Sequence, residues 1–377
     1  MTDPRVERLA ELLVEYSLGL RERQMLRIDG AVVAAPLVLA LYRAALAAGA
    51  HPYTKVGLEG LAEILLEEGS EAQLEYVPAL DWREIELIDA LVTIWSEENT
   101  RSLSGVDHTR QSRLIAARRE LSERRFERIS SGEIHWCGTL FPTHAHAQDA
   151  SMSLEEYERF VFGACHVEDE DGAVAHWRSV SRSLSARARE LEAVQELRVV
   201  GPDTDLRVRV GGRRWLVADG KRNMHDGEVF TSPLETETEG EIRYAFPASF
   251  QGREVEDVRL RFEGGRVVGA EARRGGDYLR SLLELEGAST LGEVAFGLNY
   301  EIDRFTHNIL FDEKIGGTMH FALGSSFAEA GGRNTSALHW DMICDLREGG
   351  EVYADGELVW QAGRFLREPA VEESEHG

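Results

Sequence analysis

Four short segments in the last third of the chain gather the side chains best able to do chemistry. In order they are Asp226-Gly227-Glu228-Val229-Phe230-Thr231, Gly292-Glu293-Val294-Ala295-Phe296-Gly297, Asp312-Glu313-Lys314-Ile315-Gly316-Gly317-Thr318-Met319-His320 and Leu338-His339-Trp340-Asp341. Three Glu, two His and an Asp from these segments would make the ligand inventory of a two-metal hydrolase. Imidazole and carboxylate ligands suit Zn, Co or Mn, and a pair of such ions can generate hydroxide and polarise a carbonyl together. The His339-x-Asp341 spacing is the sharpest local feature. On a strand, residues i and i+2 share a face, so both side chains can reach one ion.

Each residue also has a plainer reading. A histidine in an apolar strand, as His320 is in Met319-His320-Phe321-Ala322-Leu323, is usually a hydrogen-bonded core residue. His339 and Asp341 alone would suit a surface pair. Glu228 and Glu293 sit beside valine and phenylalanine, where a buried carboxylate is costly unless a cation or hydrogen bonds compensate it. The joint occurrence of these residues is what favours a metal centre. His144-x-His146 has the look of a metal motif but lies far from the others, in a segment that reads as a loop. Gly275-Gly276 and Gly331-Gly332 lack the setting of a phosphate loop, Ser325-Ser326 lacks that of an activated serine, and no HExxH is present.

The elements that must position these residues fall into two patterns. Up to about residue 190, helical periodicities (Val6 to Tyr16, Pro36 to Ala48, Leu61 to Leu74, Arg113 to Arg128, Met152 to Cys165, Val174 to Val194) alternate with short apolar runs (Met25 to Ile28, Ala90 to Trp95, Ile134 to Leu140). Strands separated by helices imply parallel pairing in a layered α/β domain. Beyond that point the pattern is of β-hairpins. Leu206 to Val210 and Trp215 to Val217 flank Gly211-Gly212, Val258 to Phe262 and Val267 to Ala270 flank Gly264-Gly265, and Val352-Tyr353 and Leu358 to Trp360 flank Asp355-Gly356. The organisation expected is an N-terminal α/β domain over 1–192 with a largely parallel sheet, a C-terminal β-rich catalytic domain over 193–367, and an acidic tail over 368–377 that reads as disordered.

Composition narrows the function classes. The 377 residues are enough for two cores, and a formal net charge of −25 argues against nucleic acid as a partner. Lysine occurs only at Lys55, Lys221 and Lys314. No apolar run approaches the roughly 18 residues of a membrane span, and Met1-Thr2-Asp3-Pro4 lacks the features of a signal peptide. Cys137, Cys165 and Cys344 are sparse and form no CxxC, which fits a reducing compartment. A cytoplasmic protein is expected.

The four segments resemble those of the thermophilic aminopeptidase family, the aminopeptidase T and aminopeptidase S type of metallopeptidase. So do Phe246-Pro247-Ala248-Ser249-Phe250-Gln251-Gly252-Arg253-Glu254-Val255, Glu98-Asn99-Thr100 with Leu103-Ser104-Gly105-Val106-Asp107, and Met152-Ser153-Leu154-Glu155-Glu156-Tyr157. The similarity runs from about residue 4 to 366, in order and with compatible spacing. It implies metal ligands at Glu228, Glu293, Glu313, His320, His339 and Asp341. It implies a C-terminal domain of mixed sheets curled into a partial barrel, and a homodimer with an enclosed site. The expected activity is removal of N-terminal residues from short peptides by water activated at two divalent cations, with Glu313 as the candidate proton shuttle. Two other readings remain open: a two-metal amidohydrolase for a non-peptide amide, and an inactive, metal-binding dimeric scaffold. Two positions depart from the family pattern. Phe327 stands where relatives carry a tyrosine, and His225 stands where they carry proline; the imidazole is expected either to support a ligand carboxylate or to face solvent.

Overall fold

A computed structural model describes residues 3–168 and 172–371; positions 372–377 of the acidic tail lie outside the described residues. Contacts group the chain into two compact units, Met1–Trp177 with Gly220–His225, and Arg178–Asp219 with Asp226–Gly377.

The first unit is built on a five-stranded sheet in the order His51–Gly57, Met25–Ala31, Ala90–Trp95, His135–Leu140, Asn223–Met224, with every pair parallel. Leu26, Ile28, Leu91, Val92 and Ile94 are buried, as expected of strands covered on both faces. The sequence reading passes over His51–Gly57, where Pro52 is the single buried residue. Two expected helices are each broken in two. Leu61 to Leu74 divides at Gly69, whose hypothetical Cβ would lie 2.4 Å from the Leu65 carbonyl oxygen, and Ser70 then starts Glu71–Glu75 with a capping box to Gln73. The charged helix divides at Arg118, which leaves helical geometry between His108–Ala117 and Arg119–Ser130.

The second unit has two large sheets. The eight-stranded one runs Arg266–Glu271, Val258–Glu263, Thr238–Tyr244, Thr204–Arg209, Glu196–Gly201, Glu351–Ala354, Glu357–Gln361, Arg364–Phe365. The five-stranded one runs His339–Asp345, Thr318–Gly324, Leu291–Gly297, Glu228–Thr231, Leu216–Ala218. Every ladder in both is antiparallel, so the mixed pairing expected here is replaced by antiparallel pairing; short connections allow antiparallel neighbours, whereas parallel ones need long crossovers. The hairpins around Gly264-Gly265 and Asp355-Gly356 form. The one expected around Gly211-Gly212 does not: Thr204–Arg209 joins the eight-stranded sheet, and Leu216–Ala218 pairs with Glu228–Thr231 in the other. One apolar core is shared by the two sheets, with Val199, Leu206, Ile242 and Phe262 from the first and Val229, Val294, Phe296, Met319, Phe321, Trp340 and Met342 from the second.

Candidate metal centre

Strand alternation decides where the six candidate residues go. In the five-stranded sheet Val229, Val294, Phe296, Met319, Phe321, Trp340 and Met342 fill the core. Their neighbours Glu228, Glu293, His320, His339 and Asp341 therefore project from the opposite face. Glu293 reaches that face through an irregularity. Leu291 pairs with Leu323, but Glu293 pairs with Ala322, a slip of one residue. Without the slip Glu293 would share the face of Leu291, which is a core residue. A β-bulge re-aims the side chain that follows it. Gly292 makes the bulge possible, since a Cβ there would lie 2.1 Å from the Ser325 carbonyl oxygen.

The register also leaves room between the ligands. Ala322 pairs with both Glu293 and Asp341, Ala295 pairs with His320, Gly297 with Glu228, and Gly324 with His339. The i, i+2, i+4 residues of the two central strands on this face are Glu293, Ala295, Gly297 and His320, Ala322, Gly324. Side chains of one carbon or none therefore stand opposite several of the functional groups. Glu313 enters from the turn that follows the short helix Ile309–Asp312.

The polar atoms converge. The ligand atoms of Glu293, His339 and Asp341 lie within 4.8 Å of one another, as do those of Glu313, His320 and Asp341, so Asp341 belongs to both groups. Glu293 Oε1 is 3.5 Å from His320 Nε2, and its Oε2 is 3.1 Å from His339 Nε2. Glu228 Oε2 is 3.5 Å from His320 Nε2. Both imidazoles are oriented by main chain: His320 Nδ1 donates to the Glu313 carbonyl and His339 Nδ1 to the Ser325 carbonyl, each at 2.9 Å. A carbonyl can only accept, so Nδ1 carries the proton and a neutral ring presents the Nε2 lone pair to the carboxylates.

A lone pair facing carboxylate oxygens is stable only with a cation between them. Without a metal ion, protons take that part. Burial opposes charging His320 and His339, but hydrogen bonds to Glu293 and the surrounding carboxylates raise them to about 10 and about 9. Burial likewise opposes ionisation of Glu293, yet the two imidazoles hold it at about 2. Burial pushes Glu228 up to about 8, against the pull of Lys314, and burial with the neighbouring Glu293 pushes Asp341 up to about 6. Glu228 Oε2 and Asp341 Oδ1 are buried with no hydrogen-bond partner among the described residues. Buried acceptors of this kind normally have partners, and this donor set fits a divalent cation of the Zn, Co or Mn type.

Lys314 belongs to the site although the sequence reading assigned it no role. It is 1% exposed, and its Nζ lies 3.2 Å from Glu228 Oε1 and 3.7 Å from Asp226 Oδ1 and contacts Glu313 Oε1. Those carboxylates hold the ammonium well above its usual range despite burial. The available signal was its position beside Glu313 in a chain with three lysines. His225 is fully buried, which removes the solvent-facing reading. Phe327 packs edge-on against His339, with ring centroids 5.3 Å apart. The decoy pair is resolved by local structure: His144 and His146 lie on the short helix His144–Asp149 rather than in a loop, where an i, i+2 pair diverges, and His146 Nε2 instead meets Glu97 at 3.0 Å.

A carboxylate–imidazole cluster on one face of an antiparallel sheet is the donor set of a metal centre. Residues 2–365 match the thermophilic metalloprotease family (M29), and the chain belongs to that family. Aminopeptidase 2 of Geobacillus stearothermophilus is 26% identical over 412 aligned residues, covering 97% of this chain and 98% of that one. Aminopeptidase AmpS of Bacillus subtilis is 28% identical over 217 residues, about half of each chain (53% and 51%). The solved structure of wild-type AmpT from Thermus thermophilus superposes with a TM-score of 0.84 at 26% identity, covering 96% of this chain and 99% of that one.

Proposed function

We propose that this chain is a metallo-aminopeptidase that removes N-terminal residues from short peptides, using two divalent cations held by Glu228, Glu293, Glu313, His320, His339 and Asp341. The observation that carries the reading is the pair of imidazoles whose protonated Nδ1 atoms are fixed on backbone carbonyls while both Nε2 atoms face Glu293. Charge supports two ions rather than one. With every group ionised, the four ligand carboxylates and Asp226 bring five negative charges against the one positive charge of Lys314, a net of four that two divalent cations would balance.

Bound Zn, Co or Mn ions would supply Lewis acidity, polarising the scissile carbonyl and acidifying a water. The chain's own groups do the rest. Glu293 directs one oxygen toward each imidazole and would help hold metal beside both. Lys314 meets one oxygen of Glu228 and one of Glu313. Glu313, on a turn and 18% exposed at its side chain, would take the proton from the attacking water and hand it to the leaving amine. A free substrate α-amine would anchor the chain end at this face. We further infer a homodimer working in the cytoplasm, with a partial barrel formed by the second unit's sheets. The core they share supports the last point, and among the described residues no helix is long and apolar enough to cross a membrane.

Metal analysis of the purified protein, combined with hydrolysis of amino-acid p-nitroanilides and short peptides, tests this reading. About two equivalents of metal per chain are expected. Chelation should abolish turnover, Co, Zn or Mn should restore it, and N-acetylated peptides should resist. Full activity in protein shown to be metal-free would sink the mechanism.

A further inference from the structure

The metal-ligand face has a wet end and a dry end. His320, Glu228, Glu293 and Lys314 are almost fully enclosed, whereas the His339 side chain is 34% exposed. His339 is the most exposed of the six candidate ligands, so the face is most open on its side. What borders His339 there is apolar. Phe327 meets the imidazole edge-on at 75° and 5.3 Å, and Phe230 meets Phe327 at 64° and 5.0 Å. Phe230 shares the face of Glu228, two residues earlier on its strand, and pairs with Leu216 at the sheet edge. Leu216, Phe230 and Phe327 are all half-buried, and none packs into the core that the two sheets share. Phe327 is fixed by a hydrogen bond from its backbone N–H to Ser232 Oγ, 2.8 Å. These three side chains leave apolar surface uncovered beside the polar centre, an arrangement typical of a ligand subsite.

Resting on the aminopeptidase reading, we infer that Leu216, Phe230 and Phe327 form the subsite for the side chain of the substrate's first residue, and that this subsite selects large apolar side chains. The first side chain branches from the carbon between the α-amine and the scissile carbonyl. When those two groups sit at the ligand face, the side chain has to lie immediately beside them, and Phe327 and Phe230 are what stand there. None of these three side chains is charged, so an arginyl or glutamyl side chain set against them would lose hydration without gaining a partner from them.

The test is a p-nitroanilide series (Leu, Phe, Ala, Arg, Glu) with the cobalt-supplemented enzyme and with Phe230→Ala, Phe327→Ala and Phe327→Leu. These substrates have no second residue, so any preference belongs to the first. The leucyl and phenylalanyl compounds should exceed the alanyl one in kcat/KM by roughly 10–200-fold, the range that one or a few methylenes yield in an apolar pocket. They should exceed the arginyl and glutamyl compounds by at least as much. Each alanine variant should narrow the leucyl-to-alanyl ratio by about tenfold, mainly through KM, while Phe327→Leu keeps most of it. Competitive inhibition by free leucine, measured alongside, should weaken in the same two alanine variants. Equal use of arginyl and leucyl compounds, or a leucyl-to-alanyl ratio unmoved in both alanine variants, overturns the subsite while leaving the aminopeptidase reading intact. Absence of turnover on every compound overturns both.

Discussion

The two faces of the five-stranded sheet are made from the same strands, yet one carries stability and the other chemistry. On one side Val229, Val294, Phe296, Met319, Phe321 and Trp340 close a core. On the other, displaced by one residue along each strand, Glu228, Glu293, His320, His339 and Asp341 meet across a floor of alanine and glycine. The difference teaches that the core holds the ligands. A strand cannot turn its carboxylates away without exposing its phenylalanines, so burial on one face fixes register on the other. The site face, by contrast, carries buried like charges that repel, and Lys314 offsets only part of that repulsion.

Substitutions on the two faces should therefore separate. The largest effect on turnover is expected for His339→Ala and for Asp341→Ala. Each should cost more than the roughly 10–100-fold typical of losing an outer partner of a metal ligand and should lower metal content, with circular dichroism and Tm close to wild type. Near-wild-type kcat in either folded variant would refute their assignment. Gly292→Ala comes next and should blur the comparison, because it strikes both faces. Its new methyl group would displace the Ser325 carbonyl, which orients His339, and would strain the bulge that aims Glu293. Overpacking of this kind typically costs about 1–3 kcal/mol. Loss of metal together with a lowered midpoint in urea is the expected pair of results, and wild-type metal content would show that the bulge is not what aims Glu293. Phe321→Ala should do the reverse of the ligand variants, losing about 3–5 kcal/mol of stability while the protein that remains folded at low temperature keeps its metal. Metal lost from that folded fraction would break the division between faces. The smallest effect is expected for His144→Ala, which should leave kcat, metal content and Tm unchanged within error.

That last variant bears on how much could be read in advance. His144-x-His146 and His339-x-Asp341 have the same spacing, and only secondary structure separates them. The strands under five of the six candidate residues were legible because apolar neighbours and period-two alternation agree there; the choice of the six as ligands rests on the family resemblance. The bulge at Gly292 was not, since Gly-Glu-Val-Ala-Phe-Gly reads equally well as unbroken alternation. Lys314 was missed because a lone lysine reads as a surface residue, and what buries it is a set of carboxylates brought together from separate segments. The Thr204–Arg209 and Leu216–Ala218 strands looked like one hairpin because the glycine pair between them is a good turn; membership in different sheets depends on partners distant in sequence. The breaks at Gly69 and Arg118 are local events in otherwise continuous helical patterns, where periodicity alone carries little information.

The two carbonyls that receive the imidazole protons have a consequence for how this site can change over generations. An acceptor supplied by a side chain can be deleted by one codon change, whereas the oxygens of Glu313 and Ser325 belong to the main chain and persist whatever residue is encoded there. The tautomer of both rings is thus inherited with the path of the backbone. Position 325 is free to drift in identity so far as this duty is concerned, and position 313 serves twice, through its carboxylate and, independently, through its peptide oxygen. A substitution at 313 would forfeit the first service and keep the second, leaving His320 correctly turned toward a place where one oxygen is missing.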